Sequence, residues 1–349
     1  MDEAEVPRKI AEELRRIAYT LEKVPDRRHQ ARAFGHAART MAKLEPEELR
    51  WRFEKRSFDE LPGIGKTIAS VIIDLLTTGE TAYLEHVPPV VERKALLDGL
   101  AGRLMEALRG DCHTHSEWSD GAVPVEEMAI SARDLGHEYM VLTDHSPSLT
   151  IARGLSRERL ESQLLLVEEI NAAMKPFRIL TGIECDILAD GSLDQDEDIL
   201  ARLDVVVGSV HSKLRQPAEE MTPRMLRAIA NPHLDILGHC TGRLVTGRGR
   251  PQSQFDAERV FAACAANGVA VEVNSRPERL DPPNDLLKLA IDAGCVFSID
   301  SDAHTPGQLA WQDYGCEHAA VSGLEPERVI NTLDAEDLLG WIALRSKRG

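Results

Sequence analysis

Apolar side chains recur at steps of three and four residues along the first part of the chain, and this spacing predicts amphipathic helices. One helix is predicted over Arg8–Lys23, where the apolar positions are Ile10, Leu14, Ile17 and Leu21. A second is predicted over His29–Lys43, and Pro46 suits the first turn of a third. The first part of the chain is therefore expected to be all α.

A tight turn with two glycines follows these helices. Ser57 and Glu60 have the spacing of a capping box, which predicts a short helix starting at Ser57. Leu61–Gly65 reads Leu-Pro-Gly-Ile-Gly and predicts a hairpin. The next helix has one apolar face and can end at Gly79; that face is formed by Ile68, Val71, Ile72 and Leu75.

From residue 110 onward, short β-branched runs alternate with helical stretches, and this alternation predicts parallel strands joined by crossover helices. The predicted strands are Gly110–His113, Tyr139–Thr143, Ile179–Glu184, Val205–Val210, Asp235–Gly238, Val269–Asn274 and Val296–Asp300. Seven such units predict a closed barrel one unit short of a TIM barrel. An open doubly wound sheet is the alternative.

Histidine and carboxylate residues follow the predicted strands where each one ends. They are His113, His115 and Asp120, then His145, Glu184, His211 and His239, and finally Asp302 and His304. In a parallel barrel these ends meet at one rim, and imidazoles and carboxylates are the ligands of divalent transition metals. The pattern therefore predicts a metal site at the rim.

The charge of the chain is divided between its two parts. The formal net charge is −17, which by itself argues against a general nucleic-acid binder. Residues 1–109 carry 19 basic and 19 acidic residues, however, and Arg8–Lys66 carries 15 basic against 10 acidic. All of the net negative charge thus belongs to residues 110–349, and the first part retains a basic segment.

Membrane and secretory signals are not expected from this composition. No apolar run approaches the roughly 18 residues of a membrane helix, and the N-terminus lacks the layout of a signal peptide. The six cysteines are widely spaced and form no CxxC motif, which favours a reduced, cytoplasmic setting.

The segment Leu61–Ala69, with sequence LPGIGKTIA, resembles the helix-hairpin-helix motif, which holds a DNA backbone phosphate without reading sequence. The larger stretch of about residues 7–87 is similar to the N-terminal DNA-binding domain of family-X DNA polymerases. The resemblance implies a domain over residues 1–90 that binds DNA through Gly63, Ile64, Gly65, Lys66, Thr67, Arg32 and Arg39. The lyase lysine of some family members falls at Val71, so lyase activity is not expected.

A linker leading into a helix is predicted over residues 91–109. The polymerase palm would follow at this point in the family, but the next domain begins within about twenty residues. No polymerase activity is therefore expected.

The strand-end set HxH, TDH, GxE, SVH, GH and SDAH resembles the PHP (polymerase and histidinol phosphatase) superfamily over residues 110–349. It is most similar to the C-terminal domain of bacterial family-X polymerases. The resemblance implies three metals. The first would be held by His113, His115, Glu184 and Asp302, the second by Glu184, His211 and His239, and the third by Asp120, His145 and His304.

Clustered dications activate water and clamp phosphate oxygens, so phosphoester hydrolysis is the expected reaction. The residues expected to take part directly are Glu184, His211, Arg243 and Arg276; Arg248 is a weaker candidate for a phosphate contact. Asp144 is expected to orient His145 or a neighbour, and Asn274 to touch substrate or a metal-bound water. The resemblance favours manganese, with zinc or iron as alternatives.

The favoured function is a 3′-5′ exonuclease or 3′-end phosphatase in DNA repair, with DNA delivered by residues 1–90. A small-molecule phosphomonoesterase of the histidinol-phosphatase type is one alternative. A non-catalytic DNA-binding protein is another. The basic segment with its hairpin speaks against the first alternative, and the complete ligand set speaks against the second. No membrane partner or obligate protein partner is inferred.

Overall fold

The computed structural model describes residues 6–24, 27–87 and 97–346, and the chain divides into two compact units, Met1–Glu92 and Arg93–Gly349. Pro25 and Asp26, which follow the first predicted helix, and the first residues of the predicted linker lie outside the described residues. Each unit has its own apolar core and is described separately below.

The first unit is built of α-helices, as the apolar spacing predicts. They are α1 (Val6–Glu22), α2 (Arg28–Ala42), α3 (Pro46–Lys55) and α4 (Lys66–Thr78), with 3₁₀ turns at Phe58–Glu60 and Tyr83–His86. The apolar stripe of α1 is buried: Leu14, Ile17 and Leu21 are fully enclosed. They belong to one core with Phe34 of α2 and Ile72 of α4.

The predicted capping box at Ser57 is wrong. Only a three-residue 3₁₀ turn follows Ser57, and the serine hydroxyl makes no capping hydrogen bond and is buried without a partner. Glu60 lies instead 3.8 Å from the guanidinium of Arg52. A turn of this length is too short for the reciprocal bonds that a capping box makes across a full first turn.

The second unit contains a seven-stranded parallel barrel. Its strands are β1 (Gly110–Thr114), β2 (Tyr139–Leu142), β3 (Arg178–Asp186), β4 (Val205–Ser209), β5 (Ile236–Leu237), β6 (Ala270–Asn274) and β7 (Phe297–Asp300). Each strand pairs in parallel with the next in sequence. A bridge from Thr114 to Ala303 brings the two ends of the sheet together, so the barrel is nearly closed. The predicted barrel is confirmed, and the open sheet is not formed.

Helices connect and cover these strands. They are α5 (Gly99–Ala107), α6 (Val125–Asp134), α7 (Arg157–Met174), α8 (Glu197–Leu200), α9 (Ala218–Ile229), α10 (Ala257–Asn267), α11 (Asn284–Asp292), α12 (Gln312–Val321) and α13 (Ala335–Ser346). The α5 helix lies within the stretch predicted as a linker. Its Leu104 is fully buried in the core of the second unit, and Met105 lies 3.9 Å from Cys316 of α12, sulfur to sulfur.

The strands are buried along their length except at Arg178 and Thr181 of β3, as parallel strands covered by helices should be. Their carboxyl ends therefore carry side chains into one enclosed rim. All six cysteines are buried free thiols. Among the described residues, no helix combines the length and apolar character needed to cross a membrane.

Candidate metal centre

Glu184, near the end of β3, stands at the centre of the rim. One carboxylate oxygen lies 2.8 Å from His239 Nε2 and 3.2 Å from His211 Nε2. The other lies 2.9 Å from His145 Nδ1, 3.3 Å from His113 Nε2 and 3.6 Å from His115 Nε2. Five imidazoles from four different strand ends thus converge on one carboxylate.

A second carboxylate, Asp120, gathers the outer part of the rim. It follows β1 on a loop, and its Oδ1 lies 3.4 Å from His145 Nε2 and 3.3 Å from His304 Nε2. Asp302 Oδ1 lies 3.4 Å from His115 Nε2 and so connects this part to the Glu184 cluster. All nine residues predicted from the strand ends are therefore brought together.

The donor atoms of this cluster have the character of metal ligands. Both carboxylate oxygens of Glu184 are buried and form no hydrogen bond. The same is true of ring nitrogens of His113, His115, His145 and His239. Buried polar atoms are normally hydrogen-bonded, because an unsatisfied one costs about 1–3 kcal/mol. Three groups of these residues place ligand atoms within 4.8 Å of one another. The residues present therefore fit divalent metal ions.

The electrostatics keep the carboxylates ionised. Burial alone would raise the pKa of Glu184, but His211, His113 and His145 hold that pKa well below its usual range. Burial lowers the pKa of His115 to about 3, with help from His304 and His145, so this imidazole is neutral. For His145 burial acts against the charged form, yet Glu184 and Asp120 outweigh it and raise the pKa to about 10.

Two carboxylates that orient the histidines were missed by the sequence reasoning. Glu272 of β6 lies 2.6 Å from His113 Nδ1 and also accepts a hydrogen bond from the backbone N–H of His239. Asp186 at the end of β3 contacts His211 Nδ1. Side chains alternate along a strand, so Asp186, two residues after Glu184, could have been assigned to the same face from sequence.

The arginines divide into two groups. Arg276 donates a hydrogen bond to His304 Nδ1 at 2.9 Å, and its Nη1 lies 3.5 Å from Asp302 Oδ1. Arg279, which the sequence reasoning did not select, lies 3.5 Å from Asp302 Oδ2 through Nε. Arg243, the other predicted catalytic arginine, donates instead to the carbonyl oxygens of Arg279 and Leu280. The structure thus gives Arg243 a place supporting this loop.

Asp144 holds a neighbour of the ligand histidines, Ser116 next to His115, which is one of the two roles predicted for it. Its carboxylate accepts hydrogen bonds from Ser116, Ser119 and Gln163, and it holds together the loop that carries Asp120. Asn274, predicted to touch substrate, donates to Asp302 Oδ2 at 3.0 Å and to Glu272. Both residues therefore act within the protein framework of the rim.

The sequence that contains most of the rim residues matches a known protein family. The PHP domain family matches residues 111–276, a stretch that begins in β1 and includes seven of the nine rim residues. Residues 111–276 form a PHP domain.

Relatives of this PHP domain have two kinds of name. The DNA polymerase/3′-5′ exonuclease PolX of Bacillus subtilis is 39% identical over 67% of this chain, but the match covers only 41% of that protein. A protein of Thermoanaerobacter sp. strain X514 named "probable phosphatase" is 29% identical over 64% of this chain and 89% of its own length. The chain thus spans less than half of the first relative and most of the second.

Among solved structures, the histidinol phosphate phosphatase of Lactococcus lactis, crystallised with zinc, L-histidinol and phosphate, aligns with a TM-score of 0.46 and 18% identity. The alignment covers 62% of this chain and 94% of that one.

The first unit carries the predicted DNA-binding hairpin. Gly63 has φ of +76°, and a Cβ there would lie 2.0 Å from the His36 ring, so glycine is required. Gly65, Lys66 and Thr67 are exposed at the N-terminus of α4, whereas the Ile64 side chain is buried.

The contact between Gly63 and His36 places α2 beside the hairpin. Arg32 and Arg39 lie four residues before and three residues after His36, so they share its face of the helix. The predicted DNA contacts of the first unit are therefore gathered on one side of it, with the exception of the Ile64 side chain.

Proposed function

We propose that this chain is a metal-dependent phosphoesterase that hydrolyses phosphoester bonds at 3′ ends of DNA, as an exonuclease or a 3′-end phosphatase. The observation that carries the proposal is the nine-residue rim centred on Glu184, with its buried and unbonded ligand atoms. The hairpin of the first unit supports DNA as the substrate.

Three divalent ions, with manganese expected, would be held by the sets assigned to the rim: His113, His115, Glu184 and Asp302; Glu184, His211 and His239; and Asp120, His145 and His304. Such ions lower the pKa of bound water and clamp phosphate oxygens. The rim would supply them with ligands that are already buried and oriented.

The protein's own residues supply orientation and charge. Glu272 and Asp186 fix the rings of His113 and His211, as partners of ligand histidines do in metal sites. Burial of Glu184, which is 1% exposed, excludes bulk water from the centre of the rim. Arg276 and Arg279 place two guanidinium groups beside Asp302, where they could bind non-bridging phosphate oxygens.

The first unit would hold the DNA. Backbone N–H groups at the N-terminus of α4 attract phosphate through the helix dipole, and Lys66 adds a full charge. Arg32 and Arg39 on the adjacent face of α2 extend this positive surface. Contacts of this kind bind the DNA backbone without selecting a sequence.

A second candidate is a small-molecule phosphomonoesterase. The relative that matches this chain over 89% of its own length is named as a phosphatase, whereas only 41% of the polymerase relative is matched. The same rim would serve both reactions, so the substrate distinguishes the candidates.

One assay tests the proposal. The full chain loaded with Mn²⁺ should shorten a 5′-labelled duplex with a recessed 3′-hydroxyl end, or remove the phosphate from the same duplex ending in a 3′-phosphate. Glu184→Gln should be inactive on both. Turnover of p-nitrophenyl phosphate without any change in the DNA would contradict the proposal and favour the second candidate.

A further inference from the structure

Among the described residues of the second unit, Ile151 is the most exposed large apolar side chain, at 92%. It lies in the loop of residues 146–155, which follows β2, in a 3₁₀ turn over Thr150–Ala152. Single exposed apolar residues are common on protein surfaces and need no special role. Two features distinguish Ile151. The backbone of its loop is firmly anchored, and the loop contacts the loop that carries Asp120, one of the more exposed residues of the rim.

The anchoring begins at both ends of the loop. The N–H of Leu155 donates to the carbonyl oxygen of His145 at 2.7 Å, so the loop leaves and rejoins the barrel at a rim histidine. Ser146 and Ser148 both donate through their hydroxyls to Asp194, at 2.8 and 2.6 Å. Ala152, next to Ile151, is buried. The exposed side chain is therefore carried on backbone that is held in place.

The loop is also joined to the loop that carries Asp120. Arg153 donates to the carbonyl oxygens of Glu117 and Ser119, and Arg159 donates to the carbonyl oxygen of Trp118. Asp120 follows directly after these residues. The two loops thus form one rim segment, and Ile151 lies two residues before Arg153, which contacts the carbonyl oxygen of the residue preceding Asp120.

This side of the rim is its open side. The Asp120 side chain is 38% exposed and that of His304 is 19% exposed, whereas those of Glu184 and His113 are 1% and 0% exposed. A phosphate would therefore enter past Asp120, and the group esterified to it would remain outside, over the neighbouring loops. Ile151 is the exposed apolar side chain on the loop that Arg153 joins to this side of the rim.

We propose that Ile151 packs against the terminal nucleobase of a DNA 3′ end whose phosphate is bound at the rim; this rests on the proposed function. Nucleobases have apolar faces that apolar and aromatic side chains cover in nucleic-acid complexes. Arg153 of the loop and Arg159 of α7 place two guanidinium groups beside the loop that carries Asp120. Ile151 would thereby favour a nucleotide end over a phosphoester that has no base.

The test uses the full Mn²⁺-loaded chain and two DNA duplexes that differ only in the 3′-terminal residue, a normal nucleotide or an abasic sugar. Ile151→Ser should raise KM for the normal end about fivefold and leave KM for the abasic end unchanged. Ile151→Met, which keeps an apolar surface, should behave as the parent chain. Leu165→Ser, a loss of an exposed apolar side chain on α7, is the control and should change neither value.

An equal effect of Ile151→Ser on both ends, or no effect on either, would overturn the role of Ile151 while DNA turnover by the parent chain still stands. Failure of the parent chain to act on either duplex would overturn the proposed function and this inference together. Unchanged thermal unfolding of the Ile151 variants would show that their folding is intact.

Discussion

At the rim, replacing Glu272 tests the effect of orienting a ligand histidine separately from the effect of binding the metal directly. It bonds His113 Nδ1 and the backbone N–H of His239 but belongs to none of the three groups of potential ligands. Glu272→Gln keeps the size of the side chain and removes its charge. Metal affinity and turnover should fall about 10- to 100-fold, because the ring of His113 loses its partner.

Equilibrium dialysis against Mn²⁺ measures the affinity directly. Glu278→Gln is the matched control, since Glu278 pairs with Arg276 and belongs to none of the three groups of potential ligands. A Glu272→Gln variant with unchanged metal affinity would show that Glu272 serves folding alone.

Arg279 carries a second prediction at this scale. Its Nε and Nη1 atoms are buried and form no hydrogen bond, although Nε lies 3.5 Å from Asp302. A phosphate oxygen would satisfy these donors. Arg279→Gln should therefore reduce kcat/KM by about 100-fold, and Arg279→Lys should recover part of it because the charge is kept.

Inhibition by inorganic phosphate distinguishes this role from a structural one. The inhibition constant should rise in Arg279→Gln, while the thermal midpoint stays within a few degrees of the parent chain. Unchanged phosphate inhibition would contradict the assignment of Arg279 to the phosphate.

The site residues that can be predicted from the sequence differ in a physical way from those that cannot. The nine rim residues stand at strand ends, where topology brings them together whatever the details of packing. Arg279 and Glu272 act through side-chain directions that depend on the loop after β6 and on the barrel interior. Arg243 shows the same limit, because its guanidinium turns to the carbonyl oxygens of Arg279 and Leu280.

Among the elements, α13 contributes a buried ion pair with the barrel in addition to its apolar contacts. Arg345 donates through Nε to Asp235 at 3.0 Å, and both side chains are 5% exposed. Breaking a buried pair leaves an uncompensated charge, so Arg345→Met should lower the free energy of unfolding by about 3–5 kcal/mol. Arg178→Met is the control, since its pair with Glu336 is exposed, and it should cost no more than about 0.5 kcal/mol.

The loss in Arg345→Met should depend on pH. Burial raises the pKa of Asp235 from 3.8 to about 6 even with Arg345 beside it. The folded state thus holds this proton more tightly than the unfolded state, so stability falls as pH rises through this range. Without Arg345 the pKa rises further, and the deficit should be small near pH 4 and largest above pH 6. Urea unfolding at both pH values measures it; a deficit independent of pH would contradict this account.

Element boundaries were predictable where periodicity was clear. The predicted strand Val205–Val210 and the observed β4 (Val205–Ser209) differ by one residue, because β-branched runs between helical stretches mark buried parallel strands. The β5 strand is shorter than predicted, with only Ile236 and Leu237 in the sheet. The capping box at Ser57 failed because spacing alone does not report the length of the turn that follows.

For the whole molecule, the uneven distribution of charge predicts different roles for the two parts of the chain. The net charge of −17 belongs to residues 110–349, whereas residues 1–109 carry no net charge and include the basic segment Arg8–Lys66. A chain lacking residues 1–92 should therefore bind DNA at least about tenfold more weakly, with a smaller dependence on salt. Its hydrolysis of p-nitrophenyl phosphate should be unchanged.

Fluorescence anisotropy with labelled DNA at several salt concentrations measures this change in the absence of metal. Lys66→Glu in the full chain, a substitution at the exposed start of α4, should reproduce part of it. Equal affinity of the full and shortened chains would place DNA binding outside the first unit.

The central claim is that the rim of the PHP domain is a trinuclear metal centre. Anomalous diffraction at the manganese edge from crystals equilibrated with Mn²⁺ tests it most directly. Three peaks are expected among the nine rim residues, and Glu184→Gln should lose those next to residue 184. A map without peaks at the rim, at saturating Mn²⁺, would contradict the claim.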